Sequence, residues 1–347
     1  MTPLSALAPV LAGAAACLVA AAGLRPVRRT VPYLSGVMLA AGTAAGAMTA
    51  LGPPDRRVSA VLLAAAAVAL LGLIAEVGAL PLVTRLIVES VATGGVVLCG
   101  VQVTLTGDWL DGPVSVMWIV AMTNAYGLLD RLGGALAAVA AVTGAFLAGT
   151  ALVLGDPSLA VLATALAGVC LGALPYGRAP GRVRLGPSGS LFAGFVLTCT
   201  AAGLTAGRGP ATVAAGLLLP ALAAIVGAGA YAVRRPRRAG RTAGPARTVA
   251  PALCGVSAGT GTTGLAVALG WVPAGAAAAV TAATAAVLLC YARLTHGFFY
   301  ARFRHDSPAF RRQAWTSLRM PAGDRPRGRV PHPRSAGNPP PPVVRRG

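Results

Sequence analysis

The chain has 347 residues, 56% of them apolar and 11% charged, and its 29 basic residues, all arginine, outnumber nine acids to give a net charge of +20. A soluble domain carries about 25% charged residues and disorder requires low hydrophobicity, so neither a water-soluble globule nor a largely disordered chain fits. Apolar runs continue to about residue 300; this excludes a single anchor and predicts an all-α fold, a polytopic transmembrane helical bundle, because a bilayer span takes about 20 mostly apolar residues.

The apolar blocks predict about 11 spans, with 10 as the alternative because several are short or glycine-rich. In chain order they cover 4–24, 32–51, 58–74, 86–105, 113–129, 134–154, 158–174, 189–206, 211–232, 249–270 and 274–295. Charges follow the first run (Arg25, Arg28, Arg29) rather than precede it, the pattern of a first span with its N-terminus outside rather than of a cleaved signal. In that orientation 14 arginines ahead of Arg293 fall on the inside, and three, Arg56, Arg57 and Arg208, fall outside. Positive charge resists translocation, so the asymmetry predicts an outside N-terminus and an inside C-terminus. Cys17, Cys99, Cys170, Cys199, Cys254 and Cys290 all lie within spans without metal-ligand spacing and read as small packing residues. Gly259-Thr260-Gly261-Thr262-Thr263-Gly264 matches G-x-G-x-x-G but follows no strand, so helix packing is expected there rather than a dinucleotide site. The chain divides into a membrane domain, 1–295, and a basic, proline-rich cytoplasmic tail, 296–347, disordered by composition. The tail is expected to meet anionic membrane lipid rather than nucleic acid.

Irregular polar backbone at membrane depth persists only where it lines a cavity or is buried in protein, so a site is expected at the inside loops and adjoining span ends. Four strings there stand out. Val31-Pro32-Tyr33-Leu34-Ser35-Gly36-Val37 opens the second span. Gly72-Leu73-Ile74-Ala75-Glu76 closes the third and leads to Thr84-Arg85. Trp118-Ile119-Val120 through Thr123-Asn124-Ala125-Tyr126-Gly127-Leu128-Leu129-Asp130 closes the fifth, ahead of Arg131-Leu132-Gly133-Gly134. Leu174-Pro175-Tyr176-Gly177 closes the seventh, and Leu185-Gly186-Pro187-Ser188-Gly189-Ser190-Leu191 opens the eighth, followed by Gly194-Phe195.

In this order the strings resemble the polyprenyl-phosphate N-acetylhexosamine-1-phosphate transferase family (glycosyltransferase family 4), which includes phospho-MurNAc-pentapeptide transferases and undecaprenyl-phosphate GlcNAc-1-phosphate transferases. That family's strings are similar to P-R-L-G-G, G-L-I-D-D with a Lys nine residues on, W-I-V-G-x-T-N-A-x-N-L-x-D-G-x-D-G, and L-P-Y-N followed by F-L-G-D-S-G-S-L. The resemblance implies a multi-pass protein of the bacterial inner membrane acting in cell-envelope glycan synthesis, with polyprenyl phosphate and a UDP-sugar as substrates. It implies that the lipid phosphate attacks the sugar-bearing phosphorus, that UMP leaves, and that Mg²⁺ bridges the phosphates. Such a hard cation takes oxygen ligands, and carboxylates at membrane depth mark sites because they are costly.

The chain departs from this pattern at the acids. The acidic pair of the second string is Ala75-Glu76, and the Lys that follows is Arg85. In the third string Asn124 and Asp130 remain, while Gly127 and Gly133 replace an Asn and an Asp. In the fourth, Gly177 stands for an Asn and Pro187 for the metal-binding Asp; proline brings neither a side-chain oxygen nor an N–H. Glu89, one turn past Arg85, reads as its helical ion-pair partner. The residues expected at a catalytic site are therefore Asp130 and Glu76. Asn124, Arg85, Ser188 and Ser190 are expected to bind substrate, with Pro187 at the position of the metal ligand. The pattern predicts a family member with impaired or lost catalysis. The alternatives are an active, Mg²⁺-dependent transferase using Glu76 and Asp130, and an unrelated permease-like protein. A homodimer or a partner membrane enzyme is left open.

Overall fold

The computed structural model describes residues 35–51, 54–78, 81–104, 107–130, 135–177, 185–208 and 246–273, with isolated positions at 15, between 213 and 224, and between 275 and 283. Among the described residues the secondary structure is helical, with no strand. The helices are α1 (Ser35–Leu51), α2 (Arg56–Val77), α3 (Leu82–Leu98), α4 (Asp111–Leu129), α5 (Ala135–Val153), α6 (Pro157–Gly177), α7 (Gly186–Thr205) and α8 (Ala246–Ala268). Five of them, α2, α4, α5, α6 and α7, are long and apolar enough to cross a membrane. The expected spans 4–24, 211–232 and 274–295 and the tail 296–347 lie outside the described residues, apart from the isolated positions.

Helix ends follow the turn chemistry. Pro157 opens α6 just after Asp156, whose Oδ1 accepts the Leu159 N–H at 3.1 Å, an N-cap that satisfies one of the helix's orphan donors. At the far end of α5 the chain turns through Gly155 at φ +78°, a left-handed conformation that ends helices and suits glycine. Between these ends, hydroxyls in the helices donate back to their own turn: Thr43 to Leu39 O at 2.8 Å, Thr164 to Ala160 O at 2.7 Å and Thr200 to Val196 O at 2.8 Å. This local bonding removes the cost of a polar group in an apolar surround.

The third helix corrects the sequence reading. A span was expected at 86–105, but α3 runs Leu82–Leu98, with Pro81 at its N-terminal boundary and Gly100 at φ +92° beyond its C-terminus. Hydropathy places Arg85 outside the apolar segment because it counts the charge and not the partner. In the fold Arg85 lies in the first turns of α3 because its charge is paired there.

At the centre stands α7. All residues from Ser188 to Thr205 are buried, and the helix packs against α1, α2, α4, α5 and α6. Glycines make that approach close. A methyl carbon at Gly72 of α2 would sit 2.6 Å from Ser188 Cα and 2.8 Å from its nitrogen, and one at Gly194 would lie 2.8 Å from Tyr126 Cβ. The surrounding core includes Ile119, Tyr126, Leu136, Leu166, Phe192 and Phe195, all nearly or fully buried. On the other side α5 pairs with α6 and α8. Helix association in lipid depends on such small-residue contacts because burial of apolar surface from water supplies no drive there.

Candidate functional site

The end of the bundle where α2 and α4 finish and α3 and α7 begin gathers polar side chains from all four helices. Two clusters form, one on the first turn of α7 and one between α3 and α4.

The α7 cluster starts from the backbone. The first N–H groups of a helix have no partner within it and carry partial positive charge. Gly186, at φ +71°, turns the chain into α7, and a Cβ there would run into Glu76 Oε1. Two carboxylates meet the exposed donors. Asp130, just past α4, accepts the Leu185 N–H through Oδ1 and the Gly186 N–H through Oδ2, each at 3.2 Å. Glu76, near the end of α2, accepts through Oε1 from the Ser188 N–H at 3.2 Å and from the Ser188 hydroxyl at 3.3 Å. Asp130 is buried, and Pro187 between these donors is exposed.

The second cluster is a closed ring of three side chains. Arg85 Nε donates to Glu89 Oε1 at 2.9 Å, and Arg85 Nη2 donates to Asn124 Oδ1 at 3.0 Å. Asn124 Nδ2 donates to Glu89 Oε2 at 2.5 Å and to Val120 O at 2.9 Å. Glu89 is only 1% exposed, which is tolerable for a charge only when paired and hydrogen-bonded. Gly127 links the clusters: a methyl carbon there would lie 3.9 Å from both Arg85 Nη2 and Ser190 Oγ. Ser190 Oγ itself donates to Pro187 O at 3.2 Å.

All six residues expected at the site thus lie at one end of the bundle. Glu76, Asp130 and Ser188 meet at the start of α7; Arg85 and Asn124 join each other; Ser190 stands between the groups. Glu89 exceeds its expected role, since it binds Asn124 as well as Arg85. Its signal in the sequence was a carboxylate followed by an uncharged, mostly apolar run to Leu98, a place where an unpaired charge would not be tolerated.

Among the described residues the donor set does not fit a magnesium centre. Seven of the nine acids lie among the described residues, Asp306 and Asp324 being the others. No three His, Cys, Asp or Glu side chains among the described residues converge as a metal-binding group. Glu76 and Asp130 spend oxygens on α7 donors, Glu89 uses both of its oxygens within the ring, and Pro187 offers no side-chain oxygen.

A helical membrane bundle with a polar, carboxylate-lined site at one end defines the class. Residues 58–205, the stretch from α2 through α7 that carries every site residue, match glycosyl transferase family 4. That match supports the family resemblance over this stretch and favours it over the unrelated permease-like reading. It is 36% identical to a Streptomyces coelicolor protein named "Putative glycosyltransferase" over 62% of this chain and 52% of that protein. It is 38% identical to a phospho-N-acetylmuramoyl-pentapeptide-transferase of Synechococcus over 27% of each chain. With a Bacillus subtilis protein named "Probable undecaprenyl-phosphate N-acetylglucosaminyl 1-phosphate transferase" it shares 24% identity over 49% of this chain and 50% of the relative. The chain spans about half the length of the first and third of these relatives, and less of the second.

Proposed function

We propose that this protein keeps the family scaffold at the membrane while its metal-dependent sugar-1-phosphate transfer is lost or strongly impaired. One observation carries the reading: the two acids left at the expected catalytic end serve as acceptors for the first N–H groups of α7, with proline where a metal ligand is expected. A carboxylate held by backbone donors stabilises the fold, and the positive helix end it neutralises is no longer offered to a phosphate. The retained role is binding of a polyprenyl phosphate, a UDP-sugar or a partner membrane enzyme of cell-envelope glycan synthesis. The proposed topology has eleven spans in the bacterial inner membrane, the N-terminus outside, and a basic tail from 296 to 347 on the cytoplasmic side against anionic lipid.

The competing reading, an active transferase using Glu76 and Asp130, is favoured by their convergence on one helix start beside Ser188. One assay separates the two. Purified full-length protein is incubated with undecaprenyl phosphate and UDP-GlcNAc, with and without Mg²⁺, and UMP release is followed. Release at background is the expected result. Magnesium-dependent release that Asp130→Ala abolishes would overturn the proposal and establish the competing one.

A further inference from the structure

The G-x-G-x-x-G string of α8 takes no part in the site described above. Gly261 rests against the Phe146 ring of α5, with no room for a Cβ. Around this contact, α5, α7 and α8 surround a half-open cavity of about 80 Å³. Its wall is mainly apolar, with Phe146, Leu147, Leu154, Leu204 and Val267, and Arg208 also borders it. All the hydroxyls that reach the wall except that of Thr143 donate within their own helices. Thr150 donates to Phe146 O, Thr205 to Ala202 O and Ser257 to Leu253 O, each at 2.9 Å. The interior therefore offers hydrocarbon contact and little hydrogen bonding.

Size narrows the occupant. The cavity is several times the ~10–15 Å³ a single water needs and far below the roughly 300–1,000 Å³ of a site that encloses a small-molecule ligand. A stretch of alkyl chain fits; a sugar nucleotide does not. Charge fixes the other end. Arg208 Nε donates to Leu204 O at 2.7 Å, and among the described residues the ion pair found is Arg85–Glu89, so no described carboxylate neutralises Arg208. Arg208 also stands a full length of α7 away from Ser188, about 30 Å at 1.5 Å per residue, which puts it near the opposite membrane interface.

We propose that this cavity holds one hydrocarbon chain of an anionic phospholipid of the surrounding bilayer, with the lipid phosphate on Arg208. The assignment is independent of the reading of the family site. The test uses full-length protein in nanodiscs with a trace of phosphatidylglycerol carrying a photoreactive group in one chain, and cross-linked peptides are mapped. Cross-links are expected within 146–154, 201–208 or 257–268. Arg208→Gln should lower them about fivefold, the equivalent of roughly 1 kcal/mol for one arginine near a charged surface. Arg208→Lys should retain them, and Gly264→Leu should remove them by filling the cavity with Arg208 intact. Thermal unfolding of each variant establishes that it is folded. A phosphatidylcholine probe labelling these segments equally, or folded Arg208→Gln and Gly264→Leu proteins labelling like the parent, would overturn the proposal. Displacement of the probe by equimolar undecaprenyl phosphate would overturn the phospholipid assignment in favour of the carrier lipid.

Discussion

Asp130 bears more of the local structure than its place at a helix end suggests. Its two oxygens accept from consecutive backbone N–H groups of another segment, that of Leu185 buried and that of Gly186 part-buried, and removing them takes away both acceptors. Such loss costs about 1–3 kcal/mol for an unsatisfied buried group. Asp130→Ala should therefore lower the thermal unfolding midpoint of the detergent-solubilised protein clearly; an unchanged midpoint would remove the capping role. Two glycines provide a contrast. Gly72→Ala drives a methyl into the backbone of Ser188 and should destabilise by about 1–3 kcal/mol or more. Gly127→Asn enters ordinary contact distance of Arg85 and Ser190, and should change stability by less than about 1 kcal/mol, in line with the small propensity gap between Gly and Asn. The sequence alone pointed to Asp130 and Glu76 as the inner acids, because carboxylates are scarce and the others fall elsewhere. Their partners were not legible, since Leu185, Gly186 and Ser188 approach them from more than fifty residues along the chain.

Helix pairs are where the ring of Arg85, Glu89 and Asn124 acts. It joins α3 to α4 by side chains alone, while the Arg85–Glu89 pair lies within one helix. Breaking a buried pair from one side leaves an uncompensated charge and costs about 3–5 kcal/mol, whereas apolar replacement of both partners is often neutral. Glu89→Leu should thus be strongly destabilising and the double change Arg85→Met with Glu89→Leu much less so, measured by denaturation of the purified protein. Equal losses for single and double variants would show that the ring is unimportant to stability. Seven other helices were expected nearly in place because apolar length and proline or glycine boundaries are local signals. The ends of α3 were misplaced, the C-terminal one most, where Gly100 at φ +92° turns the chain out of the helix well before residue 105.

For the whole molecule, the apolar character of a membrane-length helix does not track its burial. The central helix α7 is fully enclosed yet is among the least apolar of the five membrane-length helices, while α2, the most apolar, is buried over less than half of its span. Lipid, not protein, is the more hydrocarbon-like neighbour, so hydropathy identifies segments that cross and not which one lies innermost. The proposed orientation has its own test: a fluorescent protein fused after Gly347 should fluoresce in cells and a phosphatase fused there should stay inactive. The reverse would place the basic tail outside.

The enclosure of α7 also constrains how the molecule is made. Helices α1, α2, α4, α5 and α6, which supply its walls, all precede it in the chain. A segment rich in glycine, serine and threonine thus leaves the ribosome after its receptacle has been synthesised. It can pass from the insertion machinery into a protein-lined slot without a long stay in lipid, where its uncapped first turn would have to wait for Glu76 and Asp130.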